Sequence, residues 1–299
     1  MTCPFLKEAP VKYCRTASFR KLIPLPQTTG ADEKCSSADY VTCPVYRSQP
    51  EEAATAGLCP FLCESLMQYC GAAPVTRFVP YSESLLSRCG NGSYIYCELY
   101  HSVAHPSPPA GEVDGVPLPA SLGYTANHMW LDVTEGGACH AGVDAFFSRV
   151  LGQVDHIAFV WHSGLHRPAA VLTVGGMELE VIFPNQMLLT NCNLHLRADP
   201  ARLLHDPYRG GWLFEGRVEG STADHLRRGE EAREWMEQEL RRINEFLQQS
   251  STGVPACEVP LAADGGQFAP GLVQHLNREQ IRALFHEFFS PYAGGQNRA

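Results

Sequence analysis

His128-Met129-Trp130-Leu131-Asp132-Val133-Thr134 opens a series of short apolar segments that sets the architecture of this chain. Ile157–Trp161, Ala169–Val174 and Leu179–Phe183 follow, dominated by Val, Ile, Leu and Phe and bounded in several places by Gly or Pro. Short runs of this composition between turn formers read as strands, and strands at such regular spacing predict a small barrel or sandwich. One helical stretch, Gly142–Leu151, interrupts them. Upstream, residues 102–121 (SVAHPSPPAGEVDGVPLPAS) are rich in proline and small residues and read as a linker. Downstream, Glu230–Gln248 places Ala232, Trp235, Met236, Ile243, Phe246 and Leu247 at steps of three and four, with Glu239 among them. That is an amphipathic helix. A last helix is expected from Asn277, with Gln280 as its capping-box partner and Ile281, Leu284, Phe285, Phe288 and Phe289 as its stripe. Both stripes are expected to pack on the sandwich, with a partner-binding face as the other use. Ser250–Gly271 reads as a loop.

At 299 residues the chain has room for about two domains. Its net charge of −9 argues against nonspecific nucleic-acid binding, which needs a basic footprint. No apolar run approaches the ~18 residues of a spanning helix; peripheral membrane association stays open. MTCPFLKEAP lacks a basic segment followed by an apolar one, so a cytoplasmic location is expected. Residues 1–100 hold nine basic and nine acidic side chains and nine of the twelve cysteines, leaving 14 basic and 23 acidic groups beyond. All four lysines are Lys7, Lys12, Lys21 and Lys34.

The first hundred residues are duplicated. Cys3-Pro4-Phe5-Leu6 recurs at Cys59-Pro60-Phe61-Leu62, and the same offset of 56 carries Tyr13-Cys14 onto Tyr69-Cys70. At an offset of 54, Cys35, Tyr40, Cys43 and Tyr46 map onto Cys89, Tyr94, Cys97 and Tyr100. Each unit therefore carries four cysteines, predicting two small modules at 1–47 and 57–101. In a reducing compartment such patterns bind metal or act catalytically more often than they form disulfides, and a unit this small gains from a metal staple. Buried thiols acting as small hydrophobes do not explain four repeated positions. The expected ligands are Cys3, Cys14, Cys35 and Cys43 in the first copy and Cys59, Cys70, Cys89 and Cys97 in the second. Four thiolates suit either zinc or an iron–sulfur cluster. Short C-x(2–4)-C knuckles are absent at the repeated positions, and Cys-Pro occurs at Cys3, Cys43 and Cys59, which favours two [4Fe-4S] clusters over two zinc ions. Cys63 has Lys7 as its counterpart and stands outside the set. Tyr13 and Tyr69 adjoin ligands and are candidates to flank the metal. His101 with His105 and His162 with His166 have possible metal spacing without a supporting helix. Cys139, Cys192 and Cys257 read as structural.

The middle of the chain resembles the glycine cleavage system H protein family. His128-Met129-Trp130 resembles its His-x-Trp opening, Gly142-Val143-Asp144 with Leu151-Gly152 its helix, and Asp206-Pro207-Tyr208 with Gly211-Trp212-Leu213-Phe214 its closing signature. Pro184, after Glu180-Val181-Ile182-Phe183, fits the strand following the family's lipoyl hairpin. The matches keep their order over residues 123–218. The resemblance implies a flattened sandwich of two small sheets, a barrel-sandwich hybrid, carrying lipoate on a hairpin lysine. Counting back from Pro184, Gly176 occupies the lysine position and no lysine lies nearby, so attachment of that type is excluded.

The expected architecture is α+β: two four-cysteine modules, a linker, the sandwich at 122–220 and a helical region at 221–299. The expected function is a non-lipoylated H-protein-like protein acting in electron transfer or as a scaffold for a redox protein partner, rather than an enzyme. The alternative is an adaptor whose modules bind zinc for folding.

Overall fold

The computed structural model describes residues 2–16, 22–23, 34–48, 57–75, 77–79, 88–104, 111–134, 137–218, 225–251 and 270–291. It comprises two compact units, Met1–Tyr94 and Ile95–Ala299. Cys257, His105 and most of the loop expected at Ser250–Gly271 lie outside the described residues.

In the first unit the long strands β1 (Leu6–Cys14) and β3 (Leu62–Cys70) are repeat counterparts, residue for residue. With β2 (Leu22–Ile23) and β4 (Arg77–Val79) they form one sheet in the order β2-β1-β3-β4. β1 and β3 run antiparallel, Leu6 facing Cys70, Pro10 facing Leu66 and Cys14 facing Leu62. The rest of the copy recurs too. The 3-10 turns Lys34–Ser36 and Ala38–Thr42 and helix α1 (Pro44–Arg47) correspond to Arg88–Gly90, Gly92–Tyr96 and α2 (Glu98–Ala104). Tyr40, Cys59 and Phe61 are the buried heart of this unit.

The second unit begins inside the expected second module, because Tyr96 is consumed by the following domain. Its ring is 3% exposed, stacks on His140 at 4.0 Å, and its hydroxyl donates to Asp132 at 2.7 Å. Arg202, on α4 (Arg202–His205), holds Glu98 of α2 in an ion pair. The expected linker also ends in packed structure. The hairpin β5 (Glu112–Val113) and β6 (Val116–Pro117) buries Val113 and Val116, with Leu118 beside them. Proline and glycine there mark turns between core residues rather than a solvated tether.

Beyond it, β7 (Gly123–Tyr124), β8 (Met129–Val133), β9 (Ala138–Val143), β11 (Leu165–His166), β14 (Met187–Cys192) and β15 (Phe214–Arg217) form a sheet ordered β11-β14-β15-β9-β8-β7. β10 (His156–Val160), β12 (Ala169–Val174) and β13 (Met177–Ile182) form a second. One apolar core joins both; Phe159 of β10 meets Phe214 of β15 edge-on at 6.2 Å. The four expected strands are all present, while Gly142 and Val143 belong to β9 instead of the helix. Helix α3 (Ala145–Leu151) starts where it does because Asp144 caps it, its carboxylate accepting the Phe147 N–H at 2.9 Å. Gly142 is needed where it stands: a Cβ there would lie 2.7 Å from the Trp130 ring.

Helix α5 (Gly229–Ser251) and helix α6 (Arg278–Leu284), with its capping box at Asn277 and Gln280, bury their stripes in this same core. Phe285, Phe288 and Phe289, on a π turn continuing α6, pack around Phe146 and Phe147 of α3. The core therefore covers the apolar faces of both helices.

Candidate functional site

The repeated cysteines occupy matching local positions. Cys3 and Cys59 are buried just ahead of β1 and β3, and Cys14 and Cys70 end those strands. Cys35 and Cys89 sit mid-turn in Lys34–Ser36 and Arg88–Gly90. Cys43 is the N-cap of α1, with Pro44 in the first turn, and Cys97 directly precedes α2 in the second unit. Main-chain hydrogen bonds from two of these cysteines cross between copies: the Cys3 N–H donates to Cys89 O and the Cys59 N–H to Cys35 O, each at 2.9 Å. Cys14, Cys35 and Tyr46 pack against the cluster of Tyr40, Cys59 and Phe61. Tyr40 meets Tyr46 at 5.0 Å, and Tyr46 meets Phe61 at 5.9 Å. Tyr13 and Tyr69 face Cys63 and Lys7 across the sheet. Among the described residues, no three His, Cys, Asp or Glu side chains gather in an arrangement able to hold a metal ion.

Other sequence candidates fall away. The His162 and His166 rings lie 5.5 Å apart across a strand and turn, and His166 Nδ1 contacts Gly164 O at 2.9 Å. Burial pushes the Cys139 thiol up to about 12 and the Cys192 thiol to about 11, so both stay protonated in the core.

β12 and β13 meet in a two-residue turn, Gly175-Gly176, with φ of +55° and +73°. Both central residues of this tight hairpin are left-handed, which glycine adopts without strain. Nothing lies within 4 Å of a Cβ built on Gly176, so the tip projects into open space.

Sequence reasoning missed a buried charge network. His128, at φ +60°, has no exposed surface; its Nδ1 lies 2.8 Å from Asp144 Oδ2 and its Nε2 3.5 Å from Glu239 Oε2. Arg242 binds both Glu239 oxygens at 2.7 and 2.8 Å and lies over Phe288 at 4.6 Å. Burial pulls the His128 pKa down, but Asp144 and then Glu239 overcome it and raise it to about 9. A sealed imidazolium has no route to a substrate, so its work is to clamp α5 onto the sandwich. The available signal was Glu239, an acid on the apolar stripe of a helix.

The motif residues converge on one joint. The Trp130 Nε1–H donates to Pro207 O at 3.1 Å. The Tyr208 hydroxyl donates to Pro117 O at 2.6 Å and accepts from the Ala145 N–H at 3.0 Å. His-x-Trp, the helix start and Asp-Pro-Tyr are thus parts of a single lock.

The chain is 29% identical over 120 residues to the glycine cleavage system H protein of Thermobifida fusca, spanning 36% of this chain and 88% of that protein. It is 30% identical over 118 residues to that of Beutenbergia cavernae, with 36% and 88% covered. The chain belongs to the glycine cleavage system H protein family. The crystal structure of a glycine cleavage system H protein from Mycobacterium marinum covers 41% of this chain and 98% of its own, at 23% identity and a TM-score of 0.33. No family model matches. The kinship lies in about a third of the chain, and the H-protein domain here presents Gly176 at its hairpin tip. No helix among the described residues is long and apolar enough to cross a membrane.

Proposed function

We propose that this H-protein family member is a non-lipoylated scaffold whose cysteine-rich part binds metal through its repeated thiols, as two [4Fe-4S] clusters passing electrons to a protein partner. The observation that carries the reading is the recurrence of four cysteines at matching local positions: before a strand, at its end, within a 3-10 turn and at a helix start. Core packing requires apolar volume at such places and has no need of sulfur. Thiolates at all four positions supply the donor set that iron–sulfur clusters and structural zinc share. The clusters supply the redox chemistry; the protein contributes ligands, shielding and docking surface.

Anaerobic purification of the full chain, followed by visible absorption and analysis for iron, acid-labile sulfide and zinc, tests this. Brown protein with iron and sulfide is the expected result. Colourless protein with about two zinc ions per chain establishes the adaptor alternative instead. Protein binding neither overturns the metal reading.

The lysine-free domain makes a separate prediction. Lipoate ligase with lipoate is expected to leave the mass of residues 122–220 unchanged. Gly176→Lys is expected to fold, because its side chain enters open space, at a cost of about 1–2 kcal/mol for the left-handed backbone. The variant then gains one lipoyl adduct. An adduct on the native domain would sink the non-carrier reading.

A further inference from the structure

The two copies pair reciprocally, as two subunits do about a two-fold axis. Pro10 of β1 faces its own repeat counterpart, Leu66 of β3. Leu6 faces Cys70 as Cys14 faces Leu62. The hydrogen bonds outside the strands come in matched pairs: Cys3 N–H to Cys89 O with Cys59 N–H to Cys35 O, and Gly71 N–H to Phe5 O with Arg15 N–H to Phe61 O. Leu6 N–H to Cys3 O and Leu62 N–H to Cys59 O close the same turn at the foot of each strand.

This geometry bears on which thiols can share a cation. β1 has nine residues, and at ~3.3 Å per residue Leu6 and Cys14 stand roughly 26 Å apart. Cys3 is turned against Leu6, so it shares that distance from Cys14. Thiolates on one zinc ion lie within about 4.6 Å of one another, twice the metal–sulfur bond, and a single cubane is only a few ångström across. Cys3 and Cys14 therefore cannot serve one site, which removes the grouping of Cys3, Cys14, Cys35 and Cys43 by copy. What lies beside Cys14 is the foot of the other copy's strand. Cys59 is buried there, its N–H donating to Cys35 O, in a cluster with Tyr40 and Phe61 against which Cys14 and Cys35 pack. Cys43 follows directly, its N–H donating to Tyr40 O at 2.9 Å.

We propose that the cation-binding thiol sets are exchanged between the copies: Cys59 joins Cys14, Cys35 and Cys43, and Cys3 joins Cys70 and Cys89. The proposal rests on the metal reading above and changes its consequence. Neither copy is a self-sufficient module; each cation bolts one copy to the other, and loading requires both. Hydrogen bonds and strand pairing join the main chains of Cys59 and Cys35, of Cys3 and Cys89, and of Cys70 and Leu6.

Two double variants of the full chain decide the pairing, with iron and zinc measured per chain. Cys14→Ser with Cys59→Ser is expected to lose one site, because both residues serve the same one. Cys3→Ser with Cys14→Ser is expected to lose both. The opposite pattern, both sites lost in the first and one in the second, overturns the exchange and leaves the metal reading standing. Wild-type protein with neither metal overturns the metal reading itself, and this proposal with it. Should the variants fail to fold, mild diamide oxidation of chelator-treated wild type followed by peptide mapping decides. Disulfides from Cys59 to Cys35 or Cys14, and from Cys3 to Cys89 or Cys70, support the exchange; bridges of Cys59 to Cys70 or Cys89 overturn it.

Discussion

Replacing His128 with alanine is expected to lower the unfolding free energy by about 4 kcal/mol, read as a lower urea midpoint at unchanged slope. The imidazolium and Arg242 balance Asp144 and Glu239, so its removal leaves Asp144 without a cation inside the core and Glu239 with Arg242 alone. It also empties a slot between Phe146, stacked at 4.1 Å, and Trp235 at 4.8 Å. The pH dependence separates charge from packing. The His128 pKa rises in the fold from an ordinary 6.5 to about 9, against the pull of burial and through Asp144 and Glu239. Its charge-linked stabilisation is therefore fully present below pH 6.5 and is lost as pH rises through about 9. The shift corresponds to about 3 kcal/mol. Glu239 behaves oppositely. Burial pushes its pKa up, but His128 and Arg242 bring it below the ordinary carboxylate value, so its contribution is present at neutral pH and fades in acid. Urea titrations at pH 6 and pH 10 should show the gap between wild type and His128→Ala narrowing sharply at the higher pH. An equal gap at both would mean that His128 acts by packing alone.

Trp130→Ala should cost about 3–5 kcal/mol, the range for emptying a buried aromatic site. The indole is fully buried, and its loss leaves Pro207 O without the Nε1–H donor. Gly142 tests the fit from the other side. Its missing Cβ is what admits the ring, so Gly142→Ala forces a methyl to 2.7 Å from a ring carbon and is expected to cost about 1–3 kcal/mol. With the ring gone, that methyl enters the space the indole leaves. The double variant Trp130→Ala/Gly142→Ala is expected to be clearly more stable than the sum of the single changes implies. Additivity in thermal or urea unfolding would refute direct contact as the cause.

Much of the fold was legible because local rules and tertiary demand agree. Val, Ile and Phe runs became strands, the Asn277–Gln280 capping box formed, and the Trp235 and Phe288 stripes sank into the core. Reading failed where one composition serves two ends. Proline and glycine around Val113 and Val116 suit a tether or a packed hairpin equally, and only the apolar residues beside them distinguish the two. Gly142-Val143 ran into the helix because a strand followed at once by a capped helix has no spacer; the Asp144 side chain supplies the boundary.

The candidate site divides along the same line. Sequence alone established the duplication, the eight cysteines and the absence of a lysine from the H-protein domain, since identity and spacing are properties of the chain. Which cysteines become neighbours, and that His128 meets Glu239, depended on the tertiary structure. A repeat leaves open whether a copy closes on itself or on its twin, and the antiparallel register of β1 and β3 makes that choice. Likewise, helix α5 presents Glu239 on its apolar face, but only the docked helix brings it within 3.5 Å of an imidazole 111 residues earlier in the chain.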